Sequence, residues 1–285
     1  DTEVLMSNPV FSSSPIFGKG RPTRGTRAGS TLDAASVAQP GMDAAALEQM
    51  YRSPSATSWE TDRMTYDDVI VRTGSLLVIL VGVGAVTWAV APQLYLVGMI
   101  VGFGLGLVNA FKKQPSPALI MAYAVAEGVF LGGISQFFEV RWPGIVIQAV
   151  LATVATFAVA LALFRSGKVR VTPKFTRWLM ISMGGYVVFS LVNLVLVWSG
   201  TMDGFGLRSS VITIGGISIP LGVLVGIVAV GMAAASLIVD FDSIQRGVNK
   251  GIAKRYAWAA AFGLLVTLVW LYIEFLRILA LLRGR

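Results

Sequence analysis

The chain has 285 residues, 55% of them hydrophobic and 13% charged, with a mean hydropathy of +0.73. A soluble domain carries roughly 45–50% apolar and 25% charged residues, so a soluble fold is excluded and an all-α integral membrane protein is expected. The 23 Lys and Arg against 15 Asp and Glu leave a formal charge of +8, which in a membrane protein belongs to cytoplasmic loops rather than to nucleic acid.

Cys and His are both absent. That removes disulfides, thiolate and imidazole metal sites, the commonest general base and the usual switch near neutral pH. No cofactor is expected, and any metal would need an all-oxygen site of the kind that suits Ca²⁺. With no phosphate-binding loop and no His for a Ser triad, no enzyme activity is expected either.

Residues 1–60 are rich in Ser, Pro, Gly, Ala and Thr and hold too little apolar surface to offset the entropy of ordering. They are predicted to be a disordered tail. No cluster of basic residues precedes an apolar run of about 7–15 residues, so no cleavable signal peptide is expected; Met6 is a candidate start. Two aromatics interrupt the tail, Phe11 in Asn8-Pro9-Val10-Phe11 and Phe17 in Pro15-Ile16-Phe17-Gly18, and are candidates for a short partner-binding motif.

Residues 61–73, with Met64-Thr65-Tyr66-Asp67-Asp68-Val69 at their centre, read as an amphipathic lead-in at the membrane interface. Residues 74–285 read as the membrane domain. About 20 apolar residues span a bilayer, and seven runs qualify, at about 74–91, 94–111, 117–138, 144–164, 178–199, 218–240 and 257–282. Pro92, Pro115, Pro117, Pro143, Pro173 and Pro220 stand at or beside their ends, where a missing N–H does least harm.

The loops after the second, fourth and sixth runs hold Lys112, Lys113, Arg165, Lys168, Arg170, Lys174, Arg177, Arg246, Lys250, Lys254 and Arg255; the opposite loops hold Arg141 and Arg208. That asymmetry predicts a multi-pass protein of the cell membrane with a cytoplasmic N-terminus. The loop from Gly200 to Ile217 is expected to form a cap on the other side. Gly98, Gly102 and Gly106, Gly128 and Gly132, and Gly222 and Gly226 repeat every four residues, a spacing that lets helices approach closely within one chain or in a homodimer.

Ionisable residues at membrane depth mark an ion path, a proton site or a buried pair. Glu127 sits mid-run between apolar and small neighbours; either it is protonated, or it meets a cation or a water-filled cavity. Asn193, in the middle of the fifth run, is a candidate partner or an interhelical hydrogen bond. Asp240 and Asp242 stand about 200° apart on a helix, so they face different ways. Glu274 is followed at i+3 by Arg277, which permits an ion pair on one helix. Two readings stay open for this set: charge pairs that set helix register, or a path for cations or protons.

The segment Tyr123 to Gly132 with its central Glu-Gly, the helix ending in Leu237-Ile238-Val239-Asp240-Phe241-Asp242, and Leu271-Tyr272-Ile273-Glu274-Phe275-Leu276-Arg277-Ile278-Leu279 together resemble the Bax inhibitor-1 family, also called the transmembrane Bax inhibitor motif family. The lead-in from Met64 to Val69 resembles its actinobacterial branch. The resemblance covers about residues 60–283. It implies six helices wrapped around a central C-terminal one, and a pH-sensitive calcium leak gated by paired acids on the last two helices. By that resemblance Asp242, or Asp240, and Glu274 are the gate acids and the expected Ca²⁺ ligands, and Asn193 matches an Asn of some members.

The chain departs from the family twice. Glu274 stands where Asp is usual, and the interval from Asp242 is longer. Counted from Tyr256, Glu274 lies about 27 Å along its helix at 1.5 Å per residue, so either that helix begins well outside the bilayer or the pair does not form. A reading of another class is a non-transporting accessory subunit of a larger membrane complex, docked through the tail and the glycine-lined faces.

Overall fold

The computed structural model describes residues 62–284 apart from 170, 203, 215 and 216. The predicted tail, with Phe11 and Phe17, lies outside the described residues. Seven helices are long and apolar enough to cross a membrane: α1 (Tyr66–Val90), α2 (Tyr95–Phe111), α3 (Pro117–Arg141), α4 (Ile145–Arg165), α5 (Pro173–Trp198), α6 (Leu221–Asn249) and α7 (Ala257–Arg283). Between α5 and α6 lie a 3-10 turn at Gly206–Ser209 and the antiparallel strands β1 (Val211–Ile214) and β2 (Ile217–Pro220), with Val211 opposite Pro220. The loop expected to form a cap therefore carries a hairpin.

The boundaries follow local chemistry. Thr65 caps α1, its Oγ1 accepting from Asp68 N at 3.2 Å while Asp68 Oδ2 accepts from Thr65 N at 3.1 Å, so two otherwise orphaned N–H groups are satisfied at once. This reciprocal cap starts the helix at Tyr66 and nothing interrupts it at residue 73, so most of the predicted lead-in is the first turns of the first span. Pro117 and Pro173 open α3 and α5 at positions where their missing N–H costs nothing. Gly144 takes φ 81° ahead of α4, a left-handed conformation that glycine adopts without strain.

Close approach explains the spaced glycines. A Cβ on Gly132 would meet the Gly84 carbonyl, one on Gly128 would lie 2.8 Å from Leu80 O, and one on Gly98 would lie 2.5 Å from Phe130 N. These residues let α1 and α2 press backbone to backbone on α3. Gly222 and Gly226 receive Leu281 and Ile278 of α7 in the same way. These particular faces are filled from within the chain.

Contacts to α7 come from α1, α3, α4 and α6, while α2 packs on α3 and α5 on α6. Ala257, Ala261, Leu265, Leu271, Leu276 and Ala280 of α7 are all at most 1% exposed. The outward faces of α1, α2 and α5 are lined with exposed Val, Ile, Leu and Phe, as expected of surfaces that meet a lipid bilayer.

Candidate functional site

Helices α6 and α7 are antiparallel neighbours and carry three of the acids singled out from the sequence. At the end of the pair that carries the hairpin, Glu274 is 0% exposed and fully engaged. Its Oε1 pairs with Arg208 Nη1 at 3.0 Å and its Oε2 with Arg277 Nη1 at 2.8 Å. Tyr186 of α5 donates its hydroxyl to Glu274 Oε2 at 2.6 Å, and the phenol oxygen accepts from Arg208 Nη2 at 3.0 Å and Arg277 Nη1 at 3.1 Å. Arg208 also donates to Ser190 Oγ at 3.3 Å and lies over the rings of Tyr186 and Phe189. Charge-assisted bonds of this kind are the strong ones, and a buried carboxylate left without them would be costly.

The sequence spacing anticipated the pair between Glu274 and Arg277. It did not reveal Arg208 or Tyr186, which are 66 and 88 residues away along the chain. Arg208 comes from the 3-10 turn before the hairpin, and Asn193 holds that turn in place: its Nδ2 donates to Phe205 O at 3.2 Å and its Oδ1 accepts from Leu207 N at 2.8 Å. Asn193 is thus committed to the loop backbone and is not the partner of Glu127. The available signal was that Arg208 is one of two basic residues in its set of loops.

At the opposite end, near the connection between α6 and α7, the acids are held loosely. Thr267 Oγ1 lies 3.0 Å from Asp240 Oδ2 and 3.1 Å from Gly263 O, so one hydroxyl proton is shared between two acceptors. Asp240 and Ser243 line an open cavity of about 280 Å³ whose other walls include Met64, Ile252 and Tyr256. Asp242 points elsewhere and forms an ion pair with Arg246 one turn on. The divergence of Asp240 and Asp242 expected from their two-residue spacing is what the contacts show.

The structure does not bring Asp242 and Glu274 together. Asp240 is level with Thr267 and Glu274 is seven residues further along α7, at least about 10 Å at 1.5 Å per residue; Asp242 lies beyond Asp240 in the other direction. Glu274 packs instead against Gly226, near the start of α6. The cause is the long interval: α7 begins only at Ala257, and five turns of helix carry Glu274 past the level of Asp242. Among the described residues no three acidic side chains converge as a metal site, and Asp242 with Glu274 does not fit a shared Ca²⁺.

Glu127 stands apart on α3. It is 9% exposed, its Oε1 crowds the place where a Cβ on Gly102 of α2 would be, and its Oε2 has no hydrogen-bond partner among the described residues. Tyr123, one turn earlier, supplies the polar side chain against it.

The profile of a family described as Bax inhibitor 1 like matches residues 8–284. Comparison with curated proteins found no match. With seven apolar helices and a match over nearly its whole length, the chain belongs to the Bax inhibitor 1 like family of multi-span membrane proteins.

Proposed function

We propose that the protein is a pH-sensitive cation leak, with Ca²⁺ as the cargo, whose path follows the seam between α6 and α7. The observation that supports it best is Asp240, a half-buried carboxylate with one shared hydrogen bond, lining a 280 Å³ cavity between those helices. A carboxylate at membrane depth without a dedicated cation partner draws cations to itself. At the other end of the seam two guanidinium groups surround Glu274, and fixed positive charge is an electrostatic barrier to a passing cation. Flow then requires Arg208 to swing away with its loop. Since the chain has no His, its pH sensitivity rests on carboxylates, and protonating the one that faces the cavity, Asp240, weakens the attraction. The charge asymmetry of the loops supports a cell-membrane orientation with the Asp240 cavity and the N-terminus on the cytoplasmic side.

Reconstitution in liposomes with a Ca²⁺ indicator tests the reading. Flux above that of empty liposomes, varying with pH and reduced by Asp240→Asn, is expected; equality with empty liposomes at every pH would sink it. The accessory-subunit reading rests mainly on the tail with Phe11 and Phe17, because the glycine faces at Gly98, Gly128, Gly132, Gly222 and Gly226 are filled by the chain's own helices while Gly82, Gly104 and Gly231 face open space. A stoichiometric partner retained in mild detergent and lost on deleting residues 1–60 would favour it.

A further inference from the structure

Residues Asp62 to Arg72 lie across the connection that joins α6 to α7, and their ties converge on three consecutive residues. Met64 N donates to Ile252 O at 2.8 Å and Lys254 N donates to Asp62 O at 2.8 Å, with Arg63 and Ala253 bridged between them as an antiparallel pair. Asp68 pairs with Lys254 Nζ at 3.2 Å, and Arg72 donates to the Lys254 carbonyl. The side chain that enters the fold here is Met64, 3% exposed, which nests against Gly247 and Ile252. A Cβ on Gly247 would lie 2.8 Å from Met64 Cε, so the glycine makes room for the methionine. Met64 is also a wall of the cavity that holds Asp240.

We infer that this strap is a displaceable wall of the Asp240 cavity: docked, it pins the α6–α7 connection and holds Met64 in the cavity wall; released, it widens the way by which water and hydrated cations reach Asp240. Its fastening is suited to release. Asp62 and Arg63 are exposed, the backbone pairing among the described residues extends over a single bridge, and methionine is a flexible thioether that leaves and re-enters a small site readily. The accessibility change stands by itself; its consequence for flux rests on the cation-leak reading.

The chain has no cysteine, so a single introduced thiol reports cleanly. Ala260→Cys places one in the wall of the Asp240 cavity and Val197→Cys places one in the cavity at the hairpin end. Modification by a charged thiol reagent is timed in the full-length protein in liposomes, with and without Met64→Gly and, as a milder release of the strap, Lys254→Ala. Met64→Gly is expected to speed modification at position 260 by about tenfold, with a smaller gain from Lys254→Ala, as for a local opening, and to leave position 197 unchanged. An unchanged rate at 260, or equal acceleration at both positions, would overturn the strap. Faster modification at 260 with no Ca²⁺ flux in any variant would uphold the strap and count against the leak instead.

Discussion

The two ends of the α6–α7 seam solve the same problem in opposite ways. At the hairpin end a fully buried carboxylate has every oxygen answered, by Arg208, Arg277 and Tyr186. At the connection end Asp240 shares one hydroxyl with a backbone carbonyl and borders a cavity. Burial of charge is tolerated only when it is paired, so the first cluster holds structure together. The second leaves a carboxylate free to meet something that is not part of the protein. The difference teaches that depth in the membrane alone does not say what an acid does; the completeness of its partners separates a structural pair from a carboxylate left open.

Breaking the hairpin-end cluster should have the largest effect. Arg208→Ala leaves Glu274 Oε1 unanswered in the interior while Arg277 and Tyr186 stay on Oε2, and is expected to cost about 3 kcal/mol of stability, read as a drop in the unfolding temperature in detergent micelles. Combining Arg208→Met with Glu274→Leu should restore part of that loss, since the buried carboxylate goes with one arginine while the part-exposed Arg277 keeps the Tyr186 hydroxyl; a double variant as unstable as the single one would show that the arginine acts through packing. Tyr186→Phe removes the phenol at the centre of the cluster and should cost about 1–3 kcal/mol, and a change near zero would mean that the two guanidiniums suffice.

The connection end should respond in the reverse sense. Asp240→Asn keeps the shape and an acceptor for Thr267, so stability should move by less than about 1 kcal/mol, while cation flux in liposomes falls by about tenfold. Loss of stability with flux intact would reverse the contrast between the two ends. The smallest effect is expected at Arg246→Ala, which removes an i,i+4 pair between an exposed arginine and a partly buried Asp242 and should change stability by no more than about 1 kcal/mol; a large effect on flux there would move the cation site from Asp240 to Asp242.

Much of the fold was legible in the residues. Seven apolar runs bounded by prolines became seven helices, and the pair between Glu274 and Arg277 followed from i+3 spacing. The lead-in was less legible because the capping box at Thr65 and Asp68 merges it with the first span. Arg208 and Tyr186 could not be read from spacing at all, because they reach Glu274 from other elements and meet it only when α5, α6 and α7 pack. The glycine repeats showed that helices approach closely but not which ones, since a four-residue stripe looks the same whether its partner is in the chain or in another copy.

By itself, then, the sequence determined that this is a multi-span helical membrane protein, where its helices run, and which acids lie at membrane depth, because these depend on local composition and periodicity. Only the tertiary structure decided which acids are neutralised and which stand open. That outcome depends on helix register: a long interval between Asp242 and Glu274 carries the two carboxylates to separate levels, and a loop arginine folds in to meet the one that is buried deepest.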